Sequence, residues 1–192
     1  MVRVAPRGDV DLEALAATHQ VLDRSGDWVS PGLIDLHSHV AGRSFFTNDL
    51  NDMVYLTNPG IRSWTSVVPE NSDFVVGAAA GVTSVLYIPG SGTNIGGQGV
   101  LLKTGFTEYA RMEIRNPGSL KLAQAGNPES YLSGVGRSCM NWNTRNTLQR
   151  GIAYARSWEA FEDGRGERPE LDPMWEAFRG LYAKTVQLSA HT

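Results

Sequence analysis

The stretch PGLIDLHSHV, residues 31–40, decides the fold, because a chain-breaking pair leads into an apolar strand that ends on two histidines. Pro31 and Gly32 favour a turn, and the residues after them have the apolar content of a buried strand. Residues two apart in a strand project to the same face. His37 and His39 therefore present their imidazoles on one side, where they can bind one divalent ion or two neighbouring ions. Taken alone, a His-x-His pair also arises by chance at exposed edges, and this alternative stays open.

The rest of the chain predicts an α/β domain in which strands alternate with helices. Such alternation favours parallel strands joined by helical crossovers. Strands are predicted at 82–88, 100–103, 120–123 and 185–192, and helices at 69–80, around 148–161 and around 175–181. The helix-ending and helix-capping signals are Gly81, Asn143 or Thr144, Gly164 and Asp172-Pro173. Residues 21–30 are expected to form short strands with a turn at Ser25-Gly26.

Composition limits the class of protein and of partner. The chain has 192 residues, 41% of them apolar, and a net charge of −3, which gives no basic face for nucleic acid. Cys139 is the single cysteine, so no internal disulfide can form. No apolar run reaches the length of a membrane span, and the N-terminal residues lack the apolar core of a signal peptide. The compartment stays unknown, with cytoplasmic as the default, and neither nucleic acid nor a membrane is expected as a partner.

A Gly-rich segment, GSGTNIGGQG at residues 90–99, follows the predicted strand 82–88. It lacks the lysine-serine pair of a P-loop and does not open a helix with Gly-x-Gly-x-x-Gly. We interpret it as a loop that shapes a pocket, with glycine supplying unusual backbone angles.

The whole string Pro-Gly-Leu-Ile-Asp-Leu-His-Ser-His closely resembles the first-strand signature of the amidohydrolase superfamily. The segments VLDRSGDWVSPG and GAAAGVTSVLYIPGSG resemble that family's entry into its barrel and its first helix and second strand. GSLKLAQAGNPES, NTRNTLQRGIAYARSWEAFEDG and VQLSAHT are similar to the imidazolonepropionase-related branch. The resemblance covers most of residues 22–192.

This resemblance implies a fold and a chemistry. The fold would be about the first half of a (β/α)8 TIM-type barrel over residues 31–192, preceded by a remnant of a small β-sandwich over residues 1–30. The activity would be hydrolysis of C–N bonds in non-peptide amides, cyclic amides or dipeptide-like small molecules, with a metal-activated water as nucleophile. The cofactor would be one or two divalent ions, zinc first, with iron or manganese as alternatives.

The resemblance also implies which residues hold the metal. His37 and His39 would be ligands. Independently of the resemblance, Asp35 lies two residues before His37 on the same face, where a carboxylate can orient an imidazole. His191 ends a predicted strand where the family has a third histidine ligand, although relatives often place that ligand two residues earlier, at Ser189 here. A strand-end histidine left exposed is the alternative. His19 is expected on the surface of the N-terminal segment.

Family members have a carboxylated lysine or a glutamate on a middle strand that bridges the metals. Lys103 and Lys121 both lie on short predicted strands, and either one, or neither, would take this place. A strand lysine that faces solvent is the commoner case.

The later ligands and the final aspartate of the family have no counterpart in these residues, and a complete barrel needs about 250 residues. The expectation is an N-terminal fragment whose catalytic residues are unknown and which self-associates through open barrel edges. Two alternatives stay open: a non-catalytic amidohydrolase-like scaffold or partner of another chain, and a metal-binding module unrelated to hydrolysis.

Overall fold

The computed structural model describes residues 5–42, 55–124, 126–131 and 135–191, and it divides the chain into two compact units, Met1–Pro31 and Gly32–Thr192. The first unit contains a short 3-10 helix, Arg7–Asp9, and helix α1, Leu12–Ala16. Asp11 caps α1 by accepting a hydrogen bond from the backbone N–H of Ala14 at 3.0 Å.

The prediction of short strands at residues 21–30 is wrong for the described part of the first unit, which contains no strand. A strand needs a partner for its backbone N–H and C=O groups, and the other described residues of this unit are helix, turn and coil. The predicted turn at Ser25-Gly26 does form, since Asp23 accepts hydrogen bonds from Ser25 and Gly26 has a φ of 95°. A sandwich remnant over residues 1–30 stays a prediction.

The second unit is built on a five-stranded sheet with the order β1-β2-β3-β4-β5. The strands are β1 Leu33–Ser38, β2 Val82–Tyr87, β3 Ile95–Lys103, β4 Glu113–Ala123 and β5 Gln187–His191. The helices are α2 Ser72–Ala79, α3 Tyr109–Met112, α4 Asn127–Tyr131, α5 Arg137–Glu162 and α6 Glu176–Tyr182, with short 3-10 turns at Val40–Gly42 and Ser63–Ser66. None of the described helices combines the length and apolar character that a membrane span requires.

The sheet is mixed rather than wholly parallel. β1 and β4 run parallel to β2 and β5 respectively, whereas β3 is antiparallel to both β2 and β4. The expectation of parallel strands with helical crossovers is therefore wrong at β3. The physical reason is the short connection at residues 88–94, which reverses the chain directly, whereas a parallel crossover needs a dozen or more residues.

The other predicted elements form, but β3 and β4 begin at Ile95 and Glu113, five and seven residues before the predicted starts. Half of the Gly-rich segment 90–99 is therefore strand, and the prediction of a loop is wrong there. α6 begins at Glu176 with Trp175 at its N-cap, so the predicted cap at Asp172 is also wrong.

Asn71 caps α2 by accepting from the N–H of Asp73, and Gly81 ends the helix with a φ of 86°. α5 ends before Gly164 as predicted but begins at Arg137, so Asn143 and Thr144 lie inside the helix instead of capping it. Both make side-chain hydrogen bonds to Asn94, and this tertiary contact overrides their preference for a cap.

Apolar side chains of the sheet pack against helices in two clusters. One cluster joins β2 and β3 to α2, and the other joins β3 and β4 to α6. Their fully buried members include Phe74, Tyr87, Leu102, Leu120 and Phe178.

β1 departs from the expectation of a buried strand. Leu33, Ile34 and Leu36 are 61%, 62% and 54% exposed. β1 pairs only with β2, so its second edge is open within the described residues. Exposed apolar side chains on an open edge favour association, and self-association stays a prediction.

A close helix contact gives a stability prediction. A Cβ atom on Gly151 of α5 would lie 2.2 Å from the ring of Phe178 on α6. We expect Gly151→Ala to lower the free energy of unfolding, because overpacking costs about 1–3 kcal/mol while the helix propensity of alanine returns about 1 kcal/mol. Urea denaturation measures the effect.

Gly77→Ala is the matched control, since Gly77 also lies inside a helix but its Cβ would meet nothing closer than 4.0 Å. This variant should gain up to about 1 kcal/mol. Equal effects of the two substitutions would contradict the packing argument.

Candidate metal centre

Three histidines meet at the carboxyl ends of β1 and β5. The ring centroid of His37 lies 5.4 Å from that of His39 and 5.9 Å from that of His191. In a flat sheet β1 and β5 would be about 19 Å apart, four strand spacings of about 4.8 Å. The sheet is therefore strongly curved, and its curvature brings its first and last strands to one site.

Lys121 on β4 joins this cluster, and Lys103 does not. The Nζ of Lys121 lies 3.2 Å from Nε2 of His37, and the residue is fully buried. Burial lowers the pKa of Lys121 from 10.5 to about 8. Lys103 is exposed, with its Nζ 5.7 Å from the ring centroid of Phe106. Of the two lysines that the sequence left open, the structure brings Lys121 to the histidines.

His39 has a defined ring tautomer. Its Nδ1 lies 2.9 Å from the carbonyl oxygen of Ile88, and a carbonyl only accepts. Nδ1 must therefore carry the proton, which leaves the lone pair on Nε2. This is how ligating histidines are commonly oriented in metal sites.

The electrostatics of the cluster favour neutral imidazoles. Burial, followed by the nearby Lys121 ammonium, lowers the pKa of His37. Burial also lowers the pKa of His39, against the hydrogen bond to Ile88, which raises it. Neutral imidazole is the form that binds a metal ion.

His191 is held from two sides. Its Nδ1 lies 2.5 Å from the Oγ of Ser91, in the connection between β2 and β3. Its carbonyl accepts a hydrogen bond from the N–H of Gln124 at 2.8 Å, and it pairs with Ala123 in the β4–β5 register.

Asp35 does not take the predicted place beside an imidazole. Its Oδ1 accepts a hydrogen bond from the backbone N–H of His37 at 2.9 Å. Asp35 and His37 line a cavity of about 460 Å³, together with residues 187–190 of β5, which include Ser189. The carboxylate therefore binds the main chain of its own strand, because its two-residue spacing suits a local hydrogen bond.

Sequence reasoning missed the contacts that hold the cluster in place, which come from Ile88 and Ser91. The available signal was the Gly-rich stretch after β2, which we interpreted as shaping a pocket. Its complete burial was not foreseeable: every residue from 85 to 100 is buried. His19 lies in the first unit and is exposed, as expected.

The side chains of His37, His39 and His191 are chemically suited to a divalent ion, although their rings do not surround a common point in this structure. Across residues 5–42, 55–124, 126–131 and 135–191, no group of three or more His, Cys, Asp or Glu side chains has the spacing that holds a metal ion. Imidazole nitrogen is nevertheless a suitable ligand for zinc, iron or manganese.

Comparison with known proteins agrees with the sequence resemblance. No family model matches the chain. Over 88 residues the chain is 35% identical to the amidohydrolase tasK of Hapsidospora irregularis, an alignment that covers 43% of this chain and 9% of tasK. The crystal structure of an amidohydrolase from Thermotoga maritima MSB8 superimposes with a TM-score of 0.74 at 23% identity.

The resemblance to the amidohydrolase superfamily is confirmed. The Thermotoga amidohydrolase shares its fold with 90% of this chain, while the match covers 49% of that protein. The chain thus spans about half the length of this amidohydrolase and a small part of tasK.

Proposed function

We propose that this chain provides part of the active site of a metal-dependent hydrolase acting on C–N bonds. One observation carries the proposal: histidines at positions 37, 39 and 191, selected from the sequence, meet beside the buried Lys121. The amidohydrolase names of the two relatives support hydrolysis of amide bonds. In this proposal the curved sheet is the first part of a (β/α)8 barrel. Within the amidohydrolase superfamily, the chain is assigned to the imidazolonepropionase-related branch.

In this proposal His37, His39 and His191 hold a divalent ion, zinc first and iron or manganese as alternatives. When bound, the ion polarises the scissile carbonyl and lowers the pKa of water. Lys121 contributes an amine within hydrogen-bonding distance of His37. Because its pKa is about 8, a fraction of the molecules carries it as a neutral amine near that pH. The substrate is a small non-peptide amide, cyclic amide or dipeptide-like molecule.

A second candidate function is a non-catalytic scaffold with the same fold. Hydrolysis needs a general base that accepts a proton from the attacking water, and a carboxylate is a common choice. Among the described residues, the carboxylate nearest to His37 in sequence is Asp35, and its hydrogen bond goes to the backbone. For this reason we expect the chain on its own to hydrolyse amides weakly or not at all.

Metal content separates these functions. We expect purified protein, dialysed and then loaded with zinc, iron or manganese, to retain one or two ions per chain in elemental analysis. Retention of none of the three metals would contradict the metal-dependent function. Metal retention without turnover of any linear amide, cyclic amide or dipeptide, in a form that carries the family's remaining ligands, would favour the scaffold.

A further inference from the structure

We propose that Ser91 is a positioning residue for His191. The connection at residues 88–94 thereby determines which ring nitrogen His39 and His191 present to a metal ion. The inference rests on the proposed function and deepens it. It concerns a serine that binds no metal itself and acts through the imidazole that it contacts.

The contact is made by a side chain that is almost fully buried. Ser91 is 9% exposed, and its Oγ lies 2.5 Å from Nδ1 of His191, which is 100 residues further along the chain. A hydroxyl can either donate to or accept from a ring nitrogen. With Ser91 accepting, His191 carries its proton on Nδ1 and offers Nε2.

The connection between β2 and β3 is anchored to the same strand end as His191. The side-chain amide of Asn94 donates to the carbonyl of Ala123 at 2.7 Å, and the N–H of Ala123 donates to the carbonyl of Asn94 at 2.8 Å. Ala123 is the register partner of His191. Ser91 and His191 are thus both fixed relative to the end of β4, so the hydroxyl stays on the ring.

Polar contacts further fix Asn94 against α5. Its oxygen accepts from the side-chain amide of Asn143 at 2.7 Å and from the hydroxyl of Thr144 at 3.1 Å. The anchor of the connection is therefore braced by a helix of 26 residues. A rigid base of this kind is what a positioning residue needs to hold a ring in one orientation.

His39 shows the same arrangement with a backbone partner. The carbonyl of Ile88, at the start of the connection, accepts from Nδ1 of His39 at 2.9 Å. One connection thus engages Nδ1 of both His39 and His191. Both rings then offer Nε2, the arrangement that partners outside the ligand set impose in known metal sites.

The test compares wild type, Ser91→Ala and Ser91→Thr in two measurements. The first uses protein labelled with ¹⁵N in histidine only, kept free of metal at about pH 8.5, where free imidazole is neutral. Long-range ¹H–¹⁵N correlations then report the tautomer of each of the four histidines. We expect the Nδ1–H form of His191 in wild type, loss of that preference in Ser91→Ala, and its retention in Ser91→Thr.

The second measurement is zinc affinity, by competition with a chromophoric chelator. We expect Ser91→Ala to weaken binding by about tenfold to a hundredfold, the range seen when a ligand's hydrogen-bond partner is removed. Thr93→Val is the matched control. Thr93 lies in the same connection, is fully buried, and its hydroxyl has no hydrogen-bond partner in the part of the chain that the structure describes. This control should leave both readouts unchanged.

Each result decides the inference. An Nε2–H tautomer at His191 in wild type, or an unchanged His191 spectrum in Ser91→Ala, overturns it. Equal effects of Ser91→Ala and Thr93→Val overturn it as well, because they would show a general response of the connection. If wild type binds none of zinc, iron and manganese, the proposed function fails, while the metal-free tautomer still tests Ser91 independently.

Discussion

In His37→Ala we expect zinc affinity to fall by more than about a hundredfold, beyond the range for partners outside the ligand set. His37 is the central ring of the cluster, since it contacts both His39 and His191 and lies 3.2 Å from Nζ of Lys121. Chelator competition measures the affinity. Alanine also removes the hydrogen bond between His37 and the buried Lys121, so the free energy of unfolding of the metal-free protein should fall by about 1 kcal/mol.

His19→Ala is the matched control for this prediction, because it removes an exposed histidine in the first compact unit. Its zinc affinity should equal that of wild type. A His37→Ala protein that retains full affinity would remove the basis for the metal centre. Loss of affinity in both variants would point to nonspecific binding by surface imidazoles.

Lys121→Met should make the metal-free protein more stable while it removes the amine from the cluster. The lowered pKa of Lys121, from 10.5 to about 8, corresponds to about 3 kcal/mol of unfavourable burial of the ammonium. Loss of the hydrogen bond to His37 costs about 1 kcal/mol, which offsets part of this gain. The net gain of about 2 kcal/mol should raise Tm by about 4–8 °C for a protein of this size.

The gain should depend on pH in a defined window. Below about pH 8 the ammonium is charged in both states, and the folded state bears the full cost of burying it. Between about pH 8 and 10.5 only the unfolded state keeps the proton, so wild type gains stability as pH rises. The advantage of Lys121→Met should therefore be largest below pH 8 and shrink towards pH 10.5.

Lys103→Met serves as the control, because it removes an exposed lysine from the neighbouring strand β3. We expect a change below about 1 kcal/mol and no added pH dependence. A Lys121→Met protein that is less stable than wild type at pH 7 would show that the amine stabilises the fold. Calorimetry at several pH values measures both effects.

The sequence predicted the residues of the cluster better than the contacts that hold them. Period-two geometry placed His37 and His39 on one face, and the apolar run before His191 placed it at a strand end. Both placements follow from local rules, and the structure agrees with them. Their role as metal ligands stays a prediction.

The direction of β3 and the place of Lys121 depended on distant parts of the chain. A short apolar strand has the same local pattern whether it runs parallel or antiparallel. Lys103 and Lys121 likewise have similar sequence surroundings, and only the curvature of the sheet separates them. Ser91 and Asn94 were missed because a Gly-rich segment typically predicts an exposed connection, whereas this one is buried.

The antiparallel placement of β3 has a consequence for the order in which the chain folds. Partners in β2–β3 and β3–β4, such as Leu86 with Leu101 and Gln98 with Leu120, are about 15 and 22 residues apart. Partners of β1 and β5, such as Ile34 with Ser84 and Leu120 with Leu188, are about 50 and 68 residues apart. Closing the longer loops costs more entropy, so the central three strands should form first.

His37 and His191 lie on the two strands that join last, which makes the histidine cluster a late product of folding. Interactions absent from the folding transition state act mainly on the unfolding rate. An ion bound by these residues would therefore slow the separation of the edge strands during unfolding, without speeding their addition to the sheet during folding. It would increase the kinetic stability of the curved sheet.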